Sequence, residues 1–189
     1  YSKGCKIVEK ELPEQVLPDG GNFELSTMYH IIFLEDLLDL VNVHKAFNKP
    51  SPVGIEDVII KMLKWMNTMC HPDGEISFFN DSALDITPSV DEMLNYSDRL
   101  GFNAFNLSET LINNIESGYS RVSLDNAVAI IDRALIGPDY LPGHAHADTL
   151  SFELSVYNKR FIVNSGISTY GDGPERQRQR STAAHSTVM

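Results

Sequence analysis

The sequence predicts an α+β protein, with helices in its first half and an antiparallel β-sheet in its second half. Apolar residues recur at intervals of three and four up to about residue 116, which is the period of an amphipathic helix. From Gly118 onward they alternate with polar residues along short segments that are separated by tight turns. We therefore expect a helical unit over residues 1–116 and a sheet unit over residues 117–189.

The first half contains apolar patterns for three helices and a shorter fourth one. These patterns run over residues 28–41, 55–66, 90–100 and 108–115. Ser26 or Thr27 is placed to cap the first helix, and Thr87-Pro88 supplies a cap and a first helical position for the third. Because the loops between the patterns are long and rich in Gly and Asp, the helices suit a helical array or toroid.

Four strands are expected in the second half. They cover residues 119–124, 127–135, 149–157 and 160–164. Short turns at 125–126 and 158–159 join two pairs of these strands, and strands that follow each other through short turns favour an antiparallel sheet.

The composition excludes several classes of protein. The formal net charge of −11 argues against nucleic acid as a partner, because phosphate binding needs a basic face. No apolar run approaches the roughly 18 residues of a membrane span. Cys5 and Cys70 lack metal-site spacing and are predicted to be free thiols. Residues 1–10 lack the apolar stretch of a signal peptide, and a start without Met predicts a fragment of a longer protein.

Histidines and a carboxylate form the most informative motif. His144, His146 and Asp148 alternate with alanines after a Pro-Gly loop, so an extended backbone would place all three on one face. Such a group can bind a divalent metal or transfer protons. His185 adds a third imidazole, and Asn164 is either a turn residue or a neutral oxygen ligand.

A tyrosine in the helical half is the second candidate for proton transfer. Tyr29 is expected in the first turn of a helix, where the helix dipole favours a phenolate. Glu24 and His30 flank it as candidate hydrogen-bond partners. Alternatively, Tyr29 is an amphipathic aromatic residue that packs at the start of the helix.

Arg176, Arg178 and Arg180 form the one basic cluster of this acidic chain. In a strand, their alternation would put all three on one face, where they could hold a carboxylate or a sulfate group. The alternative is a solvated edge strand that is protected by charge.

Four segments of the chain resemble the motifs of heparinase II/III-type polysaccharide lyases, in the same order. They are residues 19–30, 143–152, 164–170 and 184–188. Together they span most of the chain and are specific for the family, although only 143–152 is specific alone.

The resemblance implies an (α/α) toroid followed by an antiparallel β-sandwich, with the active site between them. It implies β-elimination on uronate-containing glycans such as heparan sulfate or alginate. Tyr29 and His144 match the catalytic residues, and His146 and His185 match ligands of a metal, which we expect to be zinc. Asn164 stands where the family has an acidic ligand. The residues expected to bind an acidic polysaccharide are Glu24, His30, Arg176 and Arg180.

Two further expectations follow from the resemblance. The family residue that neutralises the substrate carboxylate has no counterpart before Asp19, so it is expected upstream, and this chain alone is expected to be inactive. The family also suggests a periplasmic or secreted bacterial enzyme, although no residue of the chain shows export.

Two other functions remain open. Asp73, Glu75 and Asp81 could supply the carboxylate pair of a glycoside hydrolase, although turns with exposed acids explain them better. A lyase scaffold can also serve a non-catalytic protein that binds glycans or assembles a surface polysaccharide, because a fold does not fix a function.

Overall fold

A computed structural model describes residues 1–103, 108–138 and 140–188. Within these residues, four α-helices precede an antiparallel sheet of five strands, and a short helix follows it. The helices are α1 Ser2–Gln15, α2 Thr27–Ala46, α3 Ile55–Thr68, α4 Val90–Arg99 and α5 Pro174–Arg180. The strands are β1 Leu111–Asn114, β2 Tyr119–Leu124, β3 Ala127–Asp132, β4 Phe152–Val156 and β5 Lys159–Ile162. The predicted order of helices and sheet is confirmed.

The helical half has its own core between α2, α3 and α4. Its fully buried side chains repeat at helical spacing on α2 and α3, as the sequence predicts. They include Ile31, Leu34, Leu38, Ile59, Met62, Leu63, Met66 and Met93. The predicted cap of α2 is also confirmed, because the Ser26 hydroxyl accepts a hydrogen bond from the Tyr29 backbone N–H. This cap fixes the start of the helix that carries Tyr29.

The sheet has its strands in sequence order, from β1 to β5, and each pair is antiparallel. A second apolar cluster joins the sheet to the helices, with Trp65 and Phe79 packed against Tyr119 and Ile130. The Trp65 indole N–H also donates to the Ser117 hydroxyl at 2.8 Å. The two halves therefore meet through a buried apolar contact, and side chains from both can share one site.

Several local predictions are wrong. Residues 111–114 form β1 instead of the end of a fourth helix, and Ser89, not Thr87, caps α4 through a capping box with Glu92. The strand predicted over 127–135 ends at Asp132. The arginine cluster lies on α5, so Arg176 and Arg180 share a face while Arg178 points away to Glu175. Helix α1 was missed because only Leu12 of its residues is buried.

Among the described residues, no helix has the length and apolar character that crossing a membrane requires.

Candidate active site and metal centre

Tyr29 and His144 lie against each other, although 115 positions separate them in the sequence. Their ring centroids are 4.0 Å apart and both side chains are half-buried. Tyr29 comes from the first turn of α2, and His144 comes from the loop between β3 and β4. Glu24 Oε1 lies 3.8 Å from His144 Nε2. The structure thus brings together a phenol, an imidazole and a carboxylate at a partly exposed position.

Asp81 is the buried centre of this site, and it accepts hydrogen bonds from three side chains. His144 Nδ1 lies 2.9 Å from Asp81 Oδ2, and His146 Nε2 lies 2.8 Å from Asp81 Oδ1. The Arg176 guanidinium completes the group and donates in bidentate fashion to both carboxylate oxygens. Burial acts to raise the pKa of Asp81, but the donors outweigh it and lower the pKa to about 2.

These hydrogen bonds define the proton positions on the two histidines. Asp81 is ionised at neutral pH and can only accept, so Nδ1 of His144 and Nε2 of His146 both carry protons. The remaining nitrogens are then Nε2 of His144, near Glu24, and Nδ1 of His146. Asp81 therefore orients one histidine towards the open site and the other towards the interior.

The interior group consists of side chains that could hold a metal ion. His146, Asp148 and His185 each offer one ligand atom, and these atoms lie within 4.8 Å of one another. His146 Nδ1 and His185 Nε2 are buried and have no hydrogen-bond partner in the described part of the chain. Such nitrogens are costly to bury alone, and an imidazole–carboxylate–imidazole set suits zinc. The residues present therefore fit a divalent metal.

Asn164 supports this group from outside it. Its Oδ1 atom lies 2.5 Å from Nδ1 of His185, so the His185 proton sits there and Nε2 is free to bind a metal. Burial lowers the pKa of His185, which favours the neutral imidazole that metal binding requires. Asn164 was predicted as a ligand, and this contact places its amide oxygen on His185 Nδ1, where it orients His185. The carboxylate of Asp148 lies close enough to the two histidines to act as a ligand with them.

The structure corrects the expected role of the arginines. Arg176 is buried and its guanidinium is bound to Asp81, while Arg180 donates to the carbonyl oxygens of Ala145 and Pro142. Both side chains therefore hold the loop that carries the histidines. Arg176 therefore does not present a free guanidinium to an anionic sugar, as the strand interpretation required. Arg180 is half-buried and binds neutral carbonyl oxygens, so its contact with an anionic sugar stays a prediction.

His30 is likewise structural. Its side chain is fully buried and stacks on Trp65 at 4.4 Å, and its ring nitrogens lie within hydrogen-bond distance of Asn22 N and Met62 O. Burial lowers its pKa to about 3, against a smaller opposite effect of the Met62 carbonyl. The predicted contact of His30 with a substrate is therefore not supported, whereas Glu24 remains beside His144.

The acids proposed for a glycoside hydrolase do not form a free pair. Asp73 binds the Arg160 guanidinium at 2.7 Å. Asp81 is buried, and its carboxylate is bound by the three donors described above. Glu75 is exposed on the turn that follows α3. The carboxylate of Asp81 thus orients other side chains. The turn interpretation expected it to face solvent, and its burial contradicts that.

Tyr170 was not predicted as a residue of this site. The Tyr170 hydroxyl lies 2.7 Å from the Tyr29 hydroxyl, and its ring meets the His144 ring edge-on at 6.5 Å. Tyr170 belongs to the segment 164–170 that carried part of the resemblance, but a lone tyrosine in a loop gives no signal of its own. Only the fold brings it to Tyr29.

Comparisons with known proteins identify the family of the chain. Two family models, described as "Heparinase II/III N-terminus" and "Heparinase II/III-like, C-terminal", match residues 1–112 and 111–189. The helices and the antiparallel sheet thus follow each other in the order of the two domains of a polysaccharide-lyase family. The chain belongs to the heparinase II/III family.

Its relatives are lyases that are much longer. It is 25% identical to a heparin-sulfate lyase of Pedobacter heparinus and 26% identical to one of Bacteroides stercoris, over 98% of its own length. The chain spans 31% of the length of each. Among solved structures, it superposes on a heparan sulfate lyase from Pedobacter heparinus with a TM-score of 0.76, at 20% identity, covering 97% of this chain and 32% of that one. A structure titled "Heparinase III" gives 0.79 at 19% identity, covering 96% and 34%.

Proposed function

We propose that this chain forms the core of the active site of a polysaccharide lyase that cleaves a uronate-containing glycan by β-elimination. The observation that carries the proposal is the contact of Tyr29 with His144, at 4.0 Å between ring centroids, beside a histidine group that suits a metal. The names of the relatives support heparan sulfate as the class of substrate.

The two rings supply the proton transfers that elimination needs. A base removes the proton α to the uronate carboxyl group, the electron pair forms a C=C bond, and the glycosidic C–O bond breaks. We assign the role of base to Tyr29, whose hydroxyl is held by a hydrogen bond of 2.7 Å to the Tyr170 hydroxyl. His144 then protonates the leaving oxygen, since both its nitrogens face carboxylates and can carry protons. A bound metal would add positive charge and rigidity behind His146.

The wider architecture is also part of the proposal. We infer that the helices over 1–116 belong to an (α/α) toroid and that the sheet over 117–189 belongs to a β-sandwich. The outer face of the sheet supports the second part, because its apolar side chains are aligned across four strands and only half-buried. They are Val122, Ala129, Leu154 and Ile162. A second sheet packed on this face would bury them.

The lyase activity is tested by the absorbance of its product. The full-length protein should convert heparan sulfate into an unsaturated uronate that absorbs near about 230 nm, and Tyr29→Phe should lower kcat by roughly 10²- to 10⁴-fold. Tyr157→Phe is the matched control, because Tyr157 is exposed on the turn between β4 and β5. New reducing ends without the chromophore would instead show a hydrolase. Binding without cleavage would show an assembly or glycan-binding protein.

We also propose that the metal is zinc, held by His146, Asp148 and His185. The protein should bind one equivalent of zinc, and His185→Ala should abolish tight binding because three protein ligands are needed. Asn164→Ala, which removes the partner of His185 together with a longer hydrogen bond of 3.4 Å to Ser151, should weaken binding by roughly 10- to 100-fold. Zinc affinity is measured by competition with a chromogenic chelator. The proposal fails if wild type and His185→Ala bind equally well.

A further inference from the structure

We propose that Tyr170 is a positioning residue of this site, whose hydroxyl donates to the Tyr29 oxygen and holds it in place as the base. The inference rests on the proposed lyase function and extends it to a residue outside the expected catalytic pair. The Tyr170 hydroxyl contacts the reacting oxygen of Tyr29 directly, at a distance of 2.7 Å.

Tyr170 is itself held by the buried part of the site. Its ring lies 5.5 Å from the guanidinium carbon of Arg176, in a cation–π contact, and 6.5 Å from the His144 ring. Arg176 is anchored by Asp81, which also orients His144. One buried carboxylate therefore sets the positions of both aromatic groups that surround the Tyr29 phenol.

The direction of the hydrogen bond follows from the surroundings of the two hydroxyls. Partial burial is the largest cause that raises the pKa of Tyr170, and the bond to Tyr29 and the charge of Asp81 act in the same sense. The cation of Arg176 opposes them with a smaller effect. Tyr170 thus keeps its proton and donates it to the Tyr29 oxygen, 2.7 Å away.

This geometry gives each tyrosine a separate task. The Tyr29 oxygen accepts the α-proton of the uronate, and the Tyr170 hydroxyl remains protonated throughout and stabilises the phenolate before that transfer. No proton leaves Tyr170 in the step. A group with this task acts on the rate of the chemical step and on its pH dependence, and hardly on substrate binding.

The test is Tyr170→Phe in the full-length protein, which removes the hydroxyl and keeps the ring over Arg176. We expect kcat on heparan sulfate to fall about 10- to 100-fold with KM changed by less than about 2-fold. The rising limb of the kcat–pH profile should move up by about one pH unit, because a donor to the phenolate has been lost. Tyr157→Phe is again the matched control and should change neither quantity.

Each other outcome has a definite meaning. A rise in KM with unchanged kcat would overturn the proposal and make Tyr170 a substrate-binding residue. A lower kcat with an unshifted pH profile would also overturn it, since a merely structural role predicts that result. If the wild-type protein generates no chromophore, the lyase function itself has failed. Failure of the lyase function is thus recognised from the wild-type protein alone, before any variant is compared.

Discussion

Replacing Asp81 with asparagine is expected to lower the free energy of unfolding by about 3–5 kcal/mol and to abolish activity. Asp81 is fully buried and neutralises the buried Arg176, whose other hydrogen bond in the described part of the chain goes to the Gly143 carbonyl. An amide of the same shape keeps one acceptor oxygen, but its NH₂ group points at donors of Arg176, His144 or His146. A buried cation is then left without its counter-ion, which is the costly half of breaking a buried pair.

The measurement is urea unfolding of wild type and Asp81→Asn, with Asp85→Asn as the control. Asp85 is exposed and lies in the same loop, so the control should change stability by less than about 0.5 kcal/mol. Zinc affinity should fall in the Asp81 variant as well, because the proton position of His146 is no longer imposed. A variant as stable as the control would contradict the central role assigned to Asp81.

The burial of Asp81 and its role in the site were not predicted from the sequence. Its neighbours Asn80 and Ser82 give the segment the composition of an exposed turn, and that interpretation is correct for local backbone propensity. The burial of Asp81 depends on contacts 63 to 95 positions away, with His144, His146 and Arg176. No local pattern encodes such contacts.

The parts that were predicted correctly are those that a local period controls. The sequence predicted the apolar repeats of α2 and α3 and the cap at Ser26, because each is a property of neighbouring residues. The alternation 144–146–148 also indicated a site, although the segment is a loop and not a strand. A loop can turn successive side chains apart, which is why His144 faces Tyr29 while His146 and Asp148 face His185.

β4 carries a second buried network, on the face that points towards the helices. Glu153 is fully buried and accepts from Phe78 N at 2.6 Å and from Asn164 N at 3.3 Å. It also lies 2.7 Å from His71 Nε2, and His71 Nδ1 lies 2.7 Å from the Ser155 hydroxyl. A serine, a histidine and a carboxylate in this order resemble a hydrolase triad. Because all three are buried, the arrangement joins the loop after α3 to the sheet and has no access to substrate.

Glu153→Ala should therefore lower the free energy of unfolding by about 3–5 kcal/mol, as expected for loss of a buried ion that satisfies several donors. It leaves the Phe78 and Asn164 N–H groups without an acceptor and removes the partner of His71. Glu75→Ala, at an exposed position beside this network, is the control and should cost less than about 0.5 kcal/mol.

Glu153→Gln tests whether this network tolerates the loss of its charge better than the network around Asp81 does. The amide oxygen still accepts from the backbone, and its NH₂ group can donate to His71 Nε2 once the His71 proton moves to Nδ1 and is donated to Ser155. Arg160 keeps Asp73 as its partner. The cost should be about 1–2 kcal/mol, well below that of Asp81→Asn, in which Arg176 loses its counter-ion and cannot change its protonation. Urea unfolding of both variants under one buffer decides the point, and equal losses would show that charge, and not the supply of donors, controls both networks.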